Sequence, residues 1–194
     1  MNFLAHIYLS GENDDLLKIG NFMADSIRGK QYLTYSLPIQ KGILLHRKID
    51  FFTDSHPIFR QSKKRLVPQF GHYAGVITDI FYDHFLAKNW NLYTDIPLKI
   101  YVKNFYQLLE NKKELLNKQT QQLVSHMIQD NWLEAYQSVE GISRILYQMD
   151  KRTEFQSRMQ HATDELFSNT SFFEQEFFDF FDDIRAFVKK ELEN

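Results

Sequence analysis

Cysteine is absent from the chain. That excludes disulfides, cysteine-ligated zinc, iron–sulfur clusters and thiol nucleophiles, and it fits a reducing compartment. Any metal must be held by His, Asp, Glu or backbone oxygen, a donor set suited to harder divalent ions. Glycine and proline are scarce, seven and four in 194 residues, so few turns are marked. No run approaches the roughly 18 apolar residues of a membrane span. The opening MNFLAHIYLSGENDD lacks a basic leader, and its apolar run stops too early for a secretion signal. A soluble, cytoplasmic protein with no membrane partner is the expectation. No P-loop, Rossmann glycine pattern, HExxH or Ser-His-Asp order occurs.

What is present is helical periodicity almost throughout. The spacing predicts helices over 13–29, 38–54, 57–67, 71–89, 97–110, 119–136, 139–149 and 153–190, the last broken near Ser168–Ser171. Pro38, Pro57 and Pro97 stand where first helical turns begin, and Gly29 and Asn91 where helices end. Near the C-terminus Phe173, Phe177, Phe180, Phe181, Ile184, Phe187 and Val188 form one apolar stripe with acids opposite, a core-facing pattern. A chain of this length fits one domain, and no repeat or linker divides it. The fold class expected is all-α, a single-domain helical bundle over residues 1–194.

Net charge is only −2, but it is unevenly spread. Residues 28–66 carry nine Lys/Arg against two acids, and residues 164–194 carry nine acids against three bases. The basic region can steer an acidic partner, or it is an ordinary solvated surface. Nucleic acid is a poor candidate, because the overall charge is negative and no aromatic-basic motif occurs.

Ionisable groups also stand inside apolar helical context in four segments: NFLAHIYL with His6, GNFMADSIRG with Asp25, GILLHRKIDFFTDSHP, and ITDIFYDHFLAKNW with Asp79, Asp83 and His84. Helical spacing puts His46, Asp50 and Asp54 on one face, a turn apart, and Asp79 and Asp83 repeat that spacing. His84 points about 100° away from Asp83. Facing helices of a bundle can assemble such groups around one ion. Local readings compete: Asp25 paired with Arg28, Asp50 with Arg47, Asp54 as a cap, and His6 as a satisfied core histidine. Four segments within the first 90 residues favour a shared site over four accidents. Such a site suits metal-assisted hydrolysis, with a phosphoester as the natural substrate.

The motifs MNFLAH, GNxxADxxRG at 20–29, HRxIDxxTDxxP at 46–57 and DxxxDHFLA at 79–87 resemble, in order, those of the acyl carrier protein phosphodiesterases. The resemblance implies removal of 4′-phosphopantetheine from the serine of holo acyl carrier protein, with a divalent ion, typically Mn²⁺ (Mg²⁺ as an alternative). It also implies a distant, HD-phosphohydrolase-like architecture, although the doublet here is reversed, Asp83-His84, and no HD dipeptide occurs. Matched to those motifs, Asp25, His46, Asp50 and Asp83 are the expected metal ligands. Asp25, His84 and His6 are the expected catalytic groups, and Asp54 and Asp79 support them. Arg28, Arg47, Lys63, Lys64 and Arg65 are expected to meet phosphate or the acidic carrier protein. The alternatives are hydrolysis of a nucleotide or other small phosphoester, and a non-catalytic helical module that binds an acidic protein. Oligomeric state is left open.

Overall fold

A computed structural model describes residues 1–193 of the chain. Among them are ten α-helices and no strand, an all-α fold. The helices are α1 (Phe3–Leu9), α2 (Asp15–Met23), α3 (Leu37–Ser55), α4 (Pro57–Phe70) and α5 (Ala74–Lys88). The second half contains α6 (Leu98–Asn111), α7 (Lys118–Gln129), α8 (Trp132–Ala135), α9 (Val139–Arg152) and α10 (Ala162–Glu193). None is long and apolar enough to cross a membrane.

The prolines act as the sequence suggests. Pro38 lies in the first turn of α3, and Pro57 opens α4 while holding His56 extended at the end of α3. The aromatic stripe of α10 faces the core: Phe173, Phe177, Phe180, Phe181, Ile184 and Val188 are buried, with Phe187 half-buried. These rings pack on α5 through Tyr82 and Phe85. The helix kinks at Asn169, inside the predicted break.

Three boundaries differ from expectation. The 13–29 helix ends at Met23, followed by one 3₁₀ turn over Ala24–Ser26 that turns Asp25 outward to solvent. The last helix starts at Ala162, because Glu154, Phe155 and Arg158 all have positive φ. Asn131, at φ 47°, divides the 119–136 prediction into α7 and α8. Helix α1 lies outside the predicted helix spans, although NFLAHIYL already reads as apolar helical context.

Two glycines fix how α2 meets α3. A Cβ on Gly20 would stand 2.2 Å from the carbonyl oxygen of Ile39, and one on Gly42 would stand 2.0 Å from that of Leu17. The helices touch backbone to backbone, a distance only glycine permits. Helix α1 is fixed differently, by the acids of α5. Asp83 accepts from the amides of Leu4 (2.7 Å) and Ala5 (3.3 Å), where the helix dipole favours an anion. Asp79 pairs with the α-ammonium of Met1 at 2.8 Å.

Gly42→Ala is expected to lower unfolding free energy by about 1–3 kcal/mol or more, through overpacking against backbone. Gly75→Ala is the matched control. Its Cβ would meet only the flexible Lys63 side chain at 3.6 Å, so it should be neutral or stabilise by up to about 1 kcal/mol. Equal losses in urea denaturation would refute the backbone contact.

Candidate metal centre

The α2–α3 contact places Asn21, next to Gly20, beside His46 of α3. Helix α1 brings His6 to the same point. The two imidazole rings stack, with centroids 4.0 Å apart and planes 20° from parallel. Nδ1 of His6 lies 2.9 Å, and Nδ1 of His46 3.1 Å, from the single Oδ1 of Asn21. On the other side of the rings, Nε2 of His46 is 3.0 Å from Oδ2 of Asp50 and 3.1 Å from Oδ1 of Asp25. Nε2 of His6 is 3.2 Å from Oδ1 of Asp50. Ligand atoms of His6, His46 and Asp50 all lie within 4.8 Å of one another.

Burial grades across the cluster. His6, His46 and Asn21 are buried, while the side chains of Asp50 and Asp25 are 43% and 73% exposed. The site is closed behind the histidines and open at the carboxylates. Burial and the neighbouring His46 push His6 down to about 4, so it is neutral. Burial opposes a charge on His46 too, but its hydrogen bonds to Asp25 and Asp50 prevail and raise it to about 9. Burial likewise opposes the charge on Asp50, yet the protonated His46 beside it holds that carboxyl well below its usual range. The metal-free cluster thus keeps one proton at the meeting point of His46, Asp25 and Asp50.

The residues fit a divalent ion. Nε2 of His6 is buried, makes no well-formed hydrogen bond, and faces the carboxylate of Asp50. Two imidazole nitrogens and carboxylate oxygens, without sulfur, form a borderline-to-hard donor set.

Other expected site residues lie elsewhere or do other work. Asp83, on α5, anchors α1 instead, both of its oxygens occupied by amides, and its burial raises it to about 7. Its neighbour Asp79 is held by the N-terminal ammonium. His84 is buried against the second half of the chain, Nδ1 at 2.8 Å from the carbonyl of Tyr136, and does not join the cluster. Asp54 is exposed one turn beyond Asp50, and its carbonyl receives Arg60. Arg28 is exposed near Asp25. Arg47 is half-buried and pairs with neither acid. It donates to the carbonyls of Ile27 (3.1 Å) and Gly29 (2.9 Å) and sits over the Tyr32 ring, pinning the loop after Asp25. On α4, Arg65 is spent on the buried Glu176 at 2.6 Å, whereas Lys63 and Lys64 border a shallow pocket with Asp54. Asn21 was missed by residue type. The signal was its place in GNFMAD, four residues ahead of Asp25.

The raised His46 predicts how metal-free stability varies with pH. Its folded value exceeds the free-imidazole value of about 6.5, so its contribution is full below 6.5 and is lost as pH rises through about 9. His6 shifts the other way and opposes this only below 6.5. Chelator-treated protein should therefore lose denaturation midpoint between pH 7 and 9.5, and Asp50→Asn should flatten that fall. A midpoint that rises over this range would contradict the proton assignment.

Among proteins of known family, residues 1–184 match the family model described as acyl carrier protein phosphodiesterase. A relative from Pectobacterium atrosepticum, named acyl carrier protein phosphodiesterase, is 32% identical over 78% of this chain and 79% of its own. One of the same name from Photorhabdus laumondii is 33% identical over 78% and 77%. Another, from an Enterobacter strain, is 29% identical over 93% and 94%. No solved structure matches the chain, so the broader HD-like comparison remains an expectation. With the match running through nearly every helix described above, the chain belongs to the acyl carrier protein phosphodiesterase family.

Proposed function

We propose that this chain is a divalent-metal-dependent phosphodiesterase. It hydrolyses 4′-phosphopantetheine from the serine of holo acyl carrier protein, giving apo carrier protein and free phosphopantetheine. The observation that carries this reading is the convergence of His6, His46 and Asp50, with Asp25 at the rim, in a member of this family. Nε2 of each histidine and a carboxylate oxygen of Asp50 would hold the ion, most suitably Mn²⁺, with Mg²⁺ as the alternative. Such an ion polarises phosphoryl oxygens and acidifies a bound water. Asp25, exposed beside His46, either completes the ligand set or takes the proton of the attacking water. Arg28, three residues on and open to solvent, suits a phosphate oxygen. His84, buried with Nδ1 on the carbonyl of Tyr136, has no part in this reading.

The partner approaches, in this reading, over Arg28 and over Arg60, Lys63 and Lys64, which border a pocket with Asp54 one turn beyond Asp50. No acid occurs between Asp25 and Asp50, while that stretch carries Arg28, Lys30, Lys41, Arg47 and Lys48. On α3, Leu37 (72% exposed), Lys41, Leu44, Lys48 and Phe51 (77% exposed) form one outward stripe on the face of the helix roughly opposite His46 and Asp50. Lys48 is also in reach of Glu191. A basic surface on the open, carboxylate side of the site suits an acidic protein that carries its phosphodiester on a serine.

Mass spectrometry of holo carrier protein incubated with the chain and Mn²⁺ should show loss of the phosphopantetheine mass. Asp50→Asn and His46→Ala should slow it at least about 100-fold. Intact holo protein alongside hydrolysis of small diesters would overturn the substrate. The absence of any bound metal, with carrier-protein binding weakened by salt, would favour a non-catalytic module.

The surface assignment has its own test. Lys63→Glu with Lys64→Glu should raise KM for the carrier protein roughly tenfold and leave bis(p-nitrophenyl) phosphate hydrolysis unchanged. A larger effect from Lys41→Glu with Lys48→Glu would move the docking face to the opposite side of α3.

A further inference from the structure

The hydrogen bonds around Asn21 determine which nitrogen of each histidine carries hydrogen. The amide nitrogen of Asn21 donates to the carbonyl of His6 (3.0 Å) and to Oγ of Ser10 (2.8 Å). Ser10 has already given its own hydroxyl hydrogen to the His6 carbonyl, at 2.8 Å, so toward Asn21 it can only accept. The amide is thereby locked: exchanging its oxygen and nitrogen would set a carbonyl against two acceptors. Oδ1 must face the histidines, and an amide oxygen never donates. Nδ1 of His6 and Nδ1 of His46 therefore both carry hydrogen.

The stacked rings then send both Nε2 atoms the same way, toward Asp50. A neutral imidazole has one N–H. With that hydrogen held at Nδ1, Nε2 is left as a bare lone pair. Metal-ligating histidines usually need one such outer partner each, which fixes the tautomer and the ring angle. Here one oxygen serves two rings, and it does so without adding a charge behind them.

We propose that Asn21 is a positioning residue for a divalent cation: its single amide oxygen holds both imidazoles in the Nδ1–H form and so presents both Nε2 lone pairs to one ion. The inference rests on the metal-dependent reading above, but its test does not depend on turnover. A buried amide of purely structural use would join α1 to α2 and have no bearing on ring tautomer or cation affinity.

Long-range ¹H–¹⁵N correlation spectra of the full, metal-free chain read the protonated nitrogen of each ring directly. Both Nδ1 atoms should carry hydrogen, and Nε2 of His6 should not. Mn²⁺ titration by calorimetry supplies the second readout. Asn21→Asp keeps an acceptor for both rings and should keep this tautomer pattern, while its second oxygen, set against the carbonyl of His6 and Oγ of Ser10, should lower the denaturation midpoint. Asn21→Leu removes the acceptor, and its affinity should fall by roughly 10–100-fold. Hydrogen on Nε2 of His6 in the native chain would overturn the proposal. So would a folded Asn21→Leu that binds Mn²⁺ as tightly as the native protein. If that variant does not fold, the native spectrum alone decides. Correct tautomers and Mn²⁺ binding with holo carrier protein left intact would refute the proposed function and leave the role of Asn21 standing.

Discussion

Everything at the site depends on the closeness of α2 to α3. Gly20 and Gly42 let the two backbones meet where a single methyl group would strike a carbonyl oxygen. That approach lets one short side chain, Asn21, reach His46 on the neighbouring helix while also holding His6. A wider spacing would leave the buried Nδ1 of His46 without its acceptor and that ring free to rotate, a costly arrangement in a low-dielectric interior. The close packing and the polar cluster are therefore one design, in which the glycines set the distance and the hydrogen bonds occupy it.

Charge is arranged around this frame in two layers. The histidines sit behind and the carboxylates in front, so any positive charge between them is stabilised on the solvent side. In the metal-free state a proton on His46 fills that role, and in the proposed enzyme a cation replaces it, which makes binding favoured as pH rises. The second pair of acids, Asp79 and Asp83 on α5, acts at one remove. By gripping Met1 and the first amides of α1, they set the position of the short helix that carries His6. Seven residues would not hold a helix unaided in water.

The all-helical fold was legible because apolar spacing repeats along most of the chain and prolines mark helix starts. Loss came where backbone conformation departs from residue preference. Glu154, Phe155 and Arg158 adopt positive φ, which no pattern of side chains announces. The site was legible in part. The spacing of His46 and Asp50 within one helix carried directly into three dimensions, and His6 and Asp25 joined them. Asp83 and His84 did not, because helical spacing states which residues share a face but not what that face meets. Basic residues were over-read for the same reason: Arg65 belongs to a buried ion pair with Glu176, and Arg47 secures a loop. Asn21 stayed hidden because an asparagine is judged by its neighbours, and two of its partners lie 15 and 25 residues away.

The central claim is that His6, His46 and Asp50 form one cation site while Asp83 serves α1. Anomalous diffraction from crystals grown with Mn²⁺ tests it most directly. The account predicts a peak bonded to Nε2 of both histidines and to Asp50, with Asp83 still accepting from Leu4 and Ala5. A peak bonded to Asp83 or His84, or one away from the stacked histidines, would contradict it.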